Sequence, residues 1–306
     1  MPGLSYRGLT MDAAALSPPR RLTVPIRNRW GDGDMAVLDF GDPKRPVDLV
    51  FVHANGFNAA TYRTLLQPLG GSLRIWAPDL RGHGRSRLPA VVEGRRCWGD
   101  HRDDLAALLD AIDGPPVVMA GHSLGGASAL LAAAERPERV SGLVMMDPVV
   151  WPRPMAFALN LPVVGRVAAN NPMVRGALKR RALFDSREQA LNAYRGRGAF
   201  QGWPDMVLAD YLSDGLIETD QGLVLTCAPT WEASNYGAQA NDPWGAMKRL
   251  GRPVRILKAE TGTTCAVSAA PRGLSHVSVE TVGGGTHFFP MLKPDIARDA
   301  LFDAAV

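Results

Sequence analysis

Gly121-His122-Ser123-Leu124-Gly125 is where the types and spacing of residues in this 306-residue chain point most directly to chemistry. A serine flanked by glycines two positions away on either side fits a G-x-S-x-G turn, which joins a strand to a helix and strains its central residue. Small neighbours are needed so that the surrounding main chain does not clash. The hydroxyl is thereby lifted to the carboxyl edge of a sheet, where α/β ligand sites form. Chance could place the same letters in any glycine-rich loop. Here, however, the apolar run Val117-Val118-Met119-Ala120 leads in and the small-residue run Gly126-Ala127-Ser128-Ala129-Leu130-Leu131 leads out. Gly121 and Gly125 meet the steric demand, and Gly126 and Ala127 allow a helix to approach closely. Ser123 reads as a nucleophile.

A serine hydroxyl attacks well only when a base takes its proton. Six histidines compete for that role. His53, His83 and His122 fall in turns near the sheet edge, His101 opens a helix and His276 precedes a strand. His287 lies in Gly283-Gly284-Gly285-Thr286-His287-Phe288, just past the last apolar strand and at the same edge as the serine. Its glycines permit an exposed conformation. The order serine, acid, histidine along the chain is the one this arrangement requires.

Strand and helix patterns must place these two groups together. Apolar runs at residues 22–26, 35–40 and 47–53 read as strands, the first two joined by the turn Gly31-Asp32-Gly33-Asp34. The third is nearly continuous in apolar character, as expected of a strand buried on both faces. Helix over 59–69, strand over 74–77, helix over 100–112, strand over 116–120, helix over 124–135 and strand over 140–146 follow in alternation. Strands over 254–258 and 277–282 and a helix over 290–302 resume it. This pattern predicts an α/β fold, with helices on both faces of a mostly parallel sheet. Residues 151–250 break the rhythm with helical stretches at 187–194 and 203–213 and four of the seven tryptophans. A hundred residues do not form a structureless loop inside a compact domain. The expected division is therefore a mobile N-terminal extension at 1–20, a core at 21–150 and 251–306, and a helical cap at 151–250.

Composition narrows the function classes. Hydrophobic residues at 46% and charged residues at 21% fit an ordinary globular chain. The densest basic cluster, Lys179-Arg180-Arg181, is short and lacks interleaved aromatics, which argues against nucleic acid as a partner. Cys97, Cys227 and Cys265 are odd in number and far apart, so neither a disulfide framework nor a thiolate metal site is expected. The first 30 residues hold no continuous apolar stretch of the secretory kind, and no run of about 18 apolar residues occurs. The expected location is the cytoplasm. Oligomeric state is not legible.

Three segments resemble the α/β-hydrolase superfamily, in particular its capped esterase- and lipase-like members. They are His53-Ala54-Asn55-Gly56-Phe57 after the third strand, Asp79-Leu80-Arg81-Gly82-His83-Gly84-Arg85-Ser86, and the elbow at 121–126 together with His287. The resemblance covers nearly the whole chain beyond residue 20. It implies an oxyanion hole of two backbone donors. One is the N–H of Leu124, the residue after the nucleophile. For the other, matching Asn55-Gly56-Phe57 to the usual His-Gly-x makes Phe57 the donor, with the Asn55 side chain as the alternative. The 79–86 segment reads as a structural turn rather than a place where His83 meets a ligand.

The resemblance also implies an acid to orient His287. Where an aspartate is usual, after the strand at 254–258, this chain has Gly262 in Ala259-Glu260-Thr261-Gly262-Thr263-Thr264. Asp147, at the end of the strand at 140–146, takes the role in some members and is preferred here, with Glu260 as the alternative. Haloalkane dehalogenases and epoxide hydrolases share the fold but carry a carboxylate nucleophile in the elbow, which Ser123 opposes. The reading is a serine hydrolase cleaving a small to medium apolar carboxylic ester, with no cofactor and no metal. A hydrolase of C–C bonds in vinylogous diketones and a non-catalytic binding protein on the same scaffold are the alternatives.

Overall fold

The computed structural model describes residues 17–168 and 170–306, side chains at 166–168 excepted. The expected N-terminal extension thus lies, up to residue 16, outside the described residues. From there the chain lays down β1 (Arg20–Ile26), β2 (Gly33–Phe40), β3 (Leu49–Val52), α1 (Arg63–Leu66) and β4 (Ile75–Pro78). Next come α2 (Gly99–Ala111), β5 (Val117–His122), α3 (Leu124–Glu135) and β6 (Val140–Met146). An insertion follows, with α4 (Arg153–Asn160), α5 (Pro162–Ala168), α6 (Pro172–Leu178), β7 (Leu183–Phe184) and α7 (Arg187–Tyr194). It continues through α8 (Asp205–Gly215), β8 (Leu216–Thr219), β9 (Gly222–Leu225) and α9 (Pro229–Gly237). Then α10 (Pro243–Leu250), β10 (Val254–Ala259), β11 (Val277–Val282), α11 (Phe289–Leu292) and α12 (Pro294–Ala305) complete the described chain.

Eight strands form one sheet in the order β1-β2-β4-β3-β5-β6-β10-β11. The β1–β2 hairpin is antiparallel, as its glycine-rich turn demands, and β2 runs antiparallel to β4. The six strands from β4 to β11 are parallel. This is the α/β-hydrolase fold. Period-two projection explains the near-continuous apolar runs: Leu49 and Phe51 enter one core while Val50 and Val52 enter the other. The first core is closed by α1 and α12, the second by α2, α3 and α10. After β3 the chain adds β4 on one side and later β5 on the other, so the order reverses between β3 and β5. Ligands of open α/β sheets bind at that switch point, beyond the carboxyl ends of the strands.

The segment between β6 and β10 differs in two ways from a purely helical insertion. It contains a three-stranded antiparallel sheet, β7-β9-β8, whose β8–β9 hairpin turns at Asp220 and Gln221. Strands of two and four residues are too short to declare themselves among helical neighbours. In addition, Ala246, Met247 and Leu250 of α10 pack into the same core as α2 and α3, so that helix belongs by its contacts to the sheet. The expected helix at 59–69 is broken into a 3-10 turn, the short α1 and a second 3-10 turn containing Pro68. The C-terminal helix is broken at Lys293, before Pro294. Among the described residues no helix is long and apolar enough to cross a membrane.

Candidate active site

Ser123 sits at the bend between β5 and α3 with φ 55° and ψ −122°, a conformation that side chains rarely adopt. The fold leaves the bend no alternative. A methyl group on Gly125 would lie 2.3 Å from the carbonyl oxygens of Val52 and His53, and one on Gly121 would lie 2.6 Å from the Gly125 carbonyl carbon. Only glycine at both places lets α3 start where it does.

The imidazole of His287 meets the serine directly. Its Nε2 is 3.0 Å from Ser123 Oγ, and its Nδ1 is 2.6 Å from Asp147 Oδ2. The loop after β11 carries the histidine, and the end of β6 carries the aspartate. Ser123 and Asp147 are buried, while 18% of the imidazole surface remains open.

Asp147 is held by a dense set of donors. Oδ1 accepts from the Ala259 N–H at 2.9 Å and from the Thr263 hydroxyl at 2.6 Å, and Oδ2 accepts from the Thr264 N–H at 3.0 Å. Burial alone would raise its pKa. The hydrogen bonds from His287, Thr263 and Ala259 outweigh that effect and bring it down to about 2, so the carboxylate stays charged. Glu260, the alternative, is exposed and spends its carboxylate on the Gly284 N–H at 2.7 Å. It touches the base loop, not the imidazole. Thr263 and Thr264 went unread in the sequence. The signal was the very absence of an aspartate after β10, since a loop rich in hydroxyl and backbone donors there serves a carboxylate placed on the next strand.

In the loop after β3, hydrogen bonding narrows the candidates for a second oxyanion donor. Ala54 N–H donates to the Tyr62 hydroxyl at 3.1 Å and Gly56 N–H to His83 Nε2 at 3.2 Å. Phe57 N–H donates to the Ala54 carbonyl at 3.2 Å, closing a turn in which Gly56 has φ 74°. The assignment of Phe57 as donor is therefore corrected: its N–H is already committed within the turn. The Asn55 side chain is also committed, with Nδ2 on the Glu232 carbonyl at 3.0 Å and Oδ1 accepting from Asn235 at 2.8 Å. What remains is the Asn55 backbone N–H, which has no partner among the described residues, and the same holds for Leu124 N–H. The parallel register pairs Val52 with Gly121. The start of this loop lies against the elbow, since the carbonyl oxygens of Val52 and His53 stand 2.3 Å from where a methyl group on Gly125 would be.

Aromatic side chains wall the site on the insertion side. Phe288 stands 5.1 Å from the His287 ring and about equally far, at 6.2 Å, from Phe57 and Trp203. Phe200 and Tyr211 complete the cluster around Phe57. Of the four tryptophans between residues 151 and 250, Trp203 alone shows ring contacts with this wall. Trp231 instead donates to the Arg81 carbonyl and stacks under Arg95, and Trp151 and Trp244 bond Gln239 and each other. A groove of about 550 Å³ lined by Arg21, Arg85 and Arg87 opens on the β1–β2 side. Its lining includes none of Ser123, Asp147 and His287.

Comparison with known proteins bears on the family and the fold. A family model described as "Alpha/beta hydrolase family" matches residues 49–300. 2-(Acetamidomethylene)succinate hydrolase of Mesorhizobium japonicum is 25% identical over 83% of this chain and 86% of its own. Lipase LipV of Mycobacterium tuberculosis is 38% identical over 38% of this chain, and the match spans only 42% of LipV. A haloalkane dehalogenase of Mesorhizobium japonicum is 30% identical over 58% of this chain and 59% of its own. Among solved structures, E-2-(acetamidomethylene)succinate hydrolase superposes with a TM-score of 0.70 at 24% identity, covering 93% of this chain and 98% of the other. A thermophilic esterase from Thermogutta terrifontis gives 0.62 at 18%, covering 93% and 97%. At those identities the superpositions bear on the fold alone.

Proposed function

The chain belongs to the alpha/beta hydrolase family, and we propose that it is a serine hydrolase that cleaves carboxylic esters through an acyl-enzyme. The observation that carries this reading is the continuous contact from Ser123 Oγ through the His287 imidazole to the charged Asp147, beside two unpartnered N–H groups. Ser123 Oγ attacks the ester carbonyl carbon while its proton passes to His287 Nε2. Asp147 holds the imidazole with Nδ1 protonated and Nε2 free to accept, then stabilises the imidazolium. The oxyanion that forms takes hydrogen bonds from the backbone N–H of Leu124 and of Asn55. His287 returns the proton to the leaving alkoxide, and water repeats the sequence on the acyl group. No step calls on a metal or an organic cofactor.

The substrate class follows from the wall. Phe288 packs on the imidazole, and Phe57 and Trp203 pack on Phe288 in turn, an apolar setting that suits a small to medium hydrophobic acyl or alkoxy group. The segment from residue 151 to α9 is read as the cap, which adds Trp203, Phe200 and Tyr211 to the Phe57 and Phe288 of the core. A fluorophosphonate should label Ser123 in the wild-type chain and leave Ser123→Ala unlabelled, and p-nitrophenyl esters of graded chain length should turn over with an optimum at short to medium acyl groups. A chain that labels but ignores every ester, while cleaving a vinylogous diketone, would be a C–C bond hydrolase. One that neither labels nor turns over would be an idle scaffold.

A further inference from the structure

His122, inside the elbow, is fully buried and takes no part in the chemistry above, yet both its ring nitrogens are engaged. Nε2 is 2.8 Å from the backbone carbonyl oxygen of His287, and Nδ1 is 2.7 Å from the hydroxyl of the equally buried Tyr62. That hydroxyl in turn lies 3.1 Å from the Ala54 N–H. The polarity of this chain is forced from both ends. A carbonyl oxygen only accepts, so His122 Nε2 carries the hydrogen; a backbone N–H only donates, so the Tyr62 oxygen accepts from Ala54. The hydroxyl hydrogen is then left to point at Nδ1, which in a neutral ring holds a lone pair. One proton arrangement satisfies all four groups. A doubly protonated His122 would leave the hydroxyl hydrogen and Nδ1–H opposed, and burial works in the same direction, pulling the His122 pKa down to about 3.

The chain ties together three loops that the reaction needs. It starts at the residue before Asn55, passes through the residue before Ser123 and ends on the backbone of the base itself. We propose that Tyr62 and His122 are positioning residues, a hydrogen-bonded strut of fixed direction that holds the oxyanion loop, the nucleophile elbow and the His287 loop in one register. The proposal rests on the serine-hydrolase reading, since it assigns a purpose to the strut through Ser123 and His287. Removing the Tyr62 hydroxyl leaves the Ala54 N–H and His122 Nδ1 without their partner, while the His287 carbonyl still holds the ring hydrogen on Nε2, so the strut is cut between the oxyanion loop and the elbow.

The test uses the full chain with Tyr62→Phe, His122→Gln and His122→Leu. Tyr62→Phe should lower kcat for p-nitrophenyl butyrate and the rate of fluorophosphonate labelling together, by about 10- to 100-fold, the range for displacing a catalytic group by a fraction of an ångström to one ångström. KM should stay within about threefold, because the strut touches no substrate. His122→Gln keeps a donor for the His287 carbonyl and should retain most of the turnover, whereas His122→Leu should not. Nitrogen NMR should show His122 as the neutral Nε2–H tautomer between pH 5 and 9 in the wild type, and the same tautomer with a shifted Nδ1 resonance in Tyr62→Phe, where that nitrogen no longer accepts a hydrogen bond. Wild-type rates in Tyr62→Phe, an Nδ1–H tautomer in the wild type, or equal losses in His122→Gln and His122→Leu would each overturn the proposal. If Tyr62→Phe does not fold, the two His122 variants decide. Failure of the parent reading is separable: the wild-type chain would then not label at all.

Discussion

Replacing Asn55 by proline deletes one hydrogen and tests the oxyanion assignment at the level of a single donor. The turn from Ala54 to Phe57 is closed by the Phe57 N–H on the Ala54 carbonyl and has Gly56 at φ 74° as its third residue. That is the pattern of a type II turn, whose second position, here Asn55, accepts proline readily. The backbone path is thus preserved while the N–H disappears. Losing one oxyanion donor costs ~10²–10³ in kcat, or ~2.7–4 kcal/mol of transition-state stabilisation. The substitution also removes the side-chain bonds to Glu232 and Asn235 on α9, each worth ~0.5–1.5 kcal/mol of stability. Asn55→Ala loses those same bonds and keeps the N–H, so it is the reference. Turnover of p-nitrophenyl butyrate by the two variants, normalised to the fraction that fluorophosphonate labels, should differ by ~10²-fold or more. KM should differ little. Equal kcat in the two variants would refute the assignment of Asn55 N–H and return the role to another group of the same loop.

Three further outcomes follow from the charged groups. Asp147→Asn should drop kcat by ~10³–10⁴, because the amide favours the imidazole tautomer that cannot accept the serine proton, while Glu260→Gln should stay within a few-fold; steady-state kinetics on both decide it, and the reverse order would displace Asp147 as the acid. The Asp147 carboxyl is depressed to about 2 from its ordinary 3.8, so its contribution to stability, on the order of 2 kcal/mol, is present above pH ~4 and is lost as pH falls toward 2. Urea unfolding between pH 6 and 2.5 should therefore steepen its acid loss below pH 4 in the wild type more than in Asp147→Asn. Arg81 and Asp104, neither of which touches Ser123, Asp147 or His287, form a fully buried pair with a 2.6 Å contact. Asp104→Ala leaves the guanidinium uncompensated and should cost ~3–5 kcal/mol in denaturant unfolding without moving KM.

Much of this architecture was legible because burial on both faces writes a strand as a continuous apolar run, and each such run marked a real strand of the central sheet. Ser123 was legible for a steric reason, since the glycines around it are there to prevent clashes that Gly121 and Gly125 would suffer with any side chain. The order of elements then brought the chain near residue 287 to the same rim. What the sequence did not disclose were quantities set by partners distant in the chain. Reading the oxyanion loop by its glycine pointed to Phe57, but the hydrogen bonds made after folding are what count: the Phe57 N–H closes a turn on the Ala54 carbonyl, and the N–H proposed as donor is that of Asn55, two residues earlier. In the same way, the acid depends less on its own neighbours than on what surrounds it after folding. Asp147 has its low pKa because His287 bonds it and because Thr263 and the Ala259 N–H, more than a hundred residues later in the chain, spend their donors on it. A site of this kind is specified by the hydrogen-bond account of its loops. Of the four N–H groups from Ala54 to Phe57, three are traced to a partner, and the one left unspent, that of Asn55, is the group to which the chemistry is assigned.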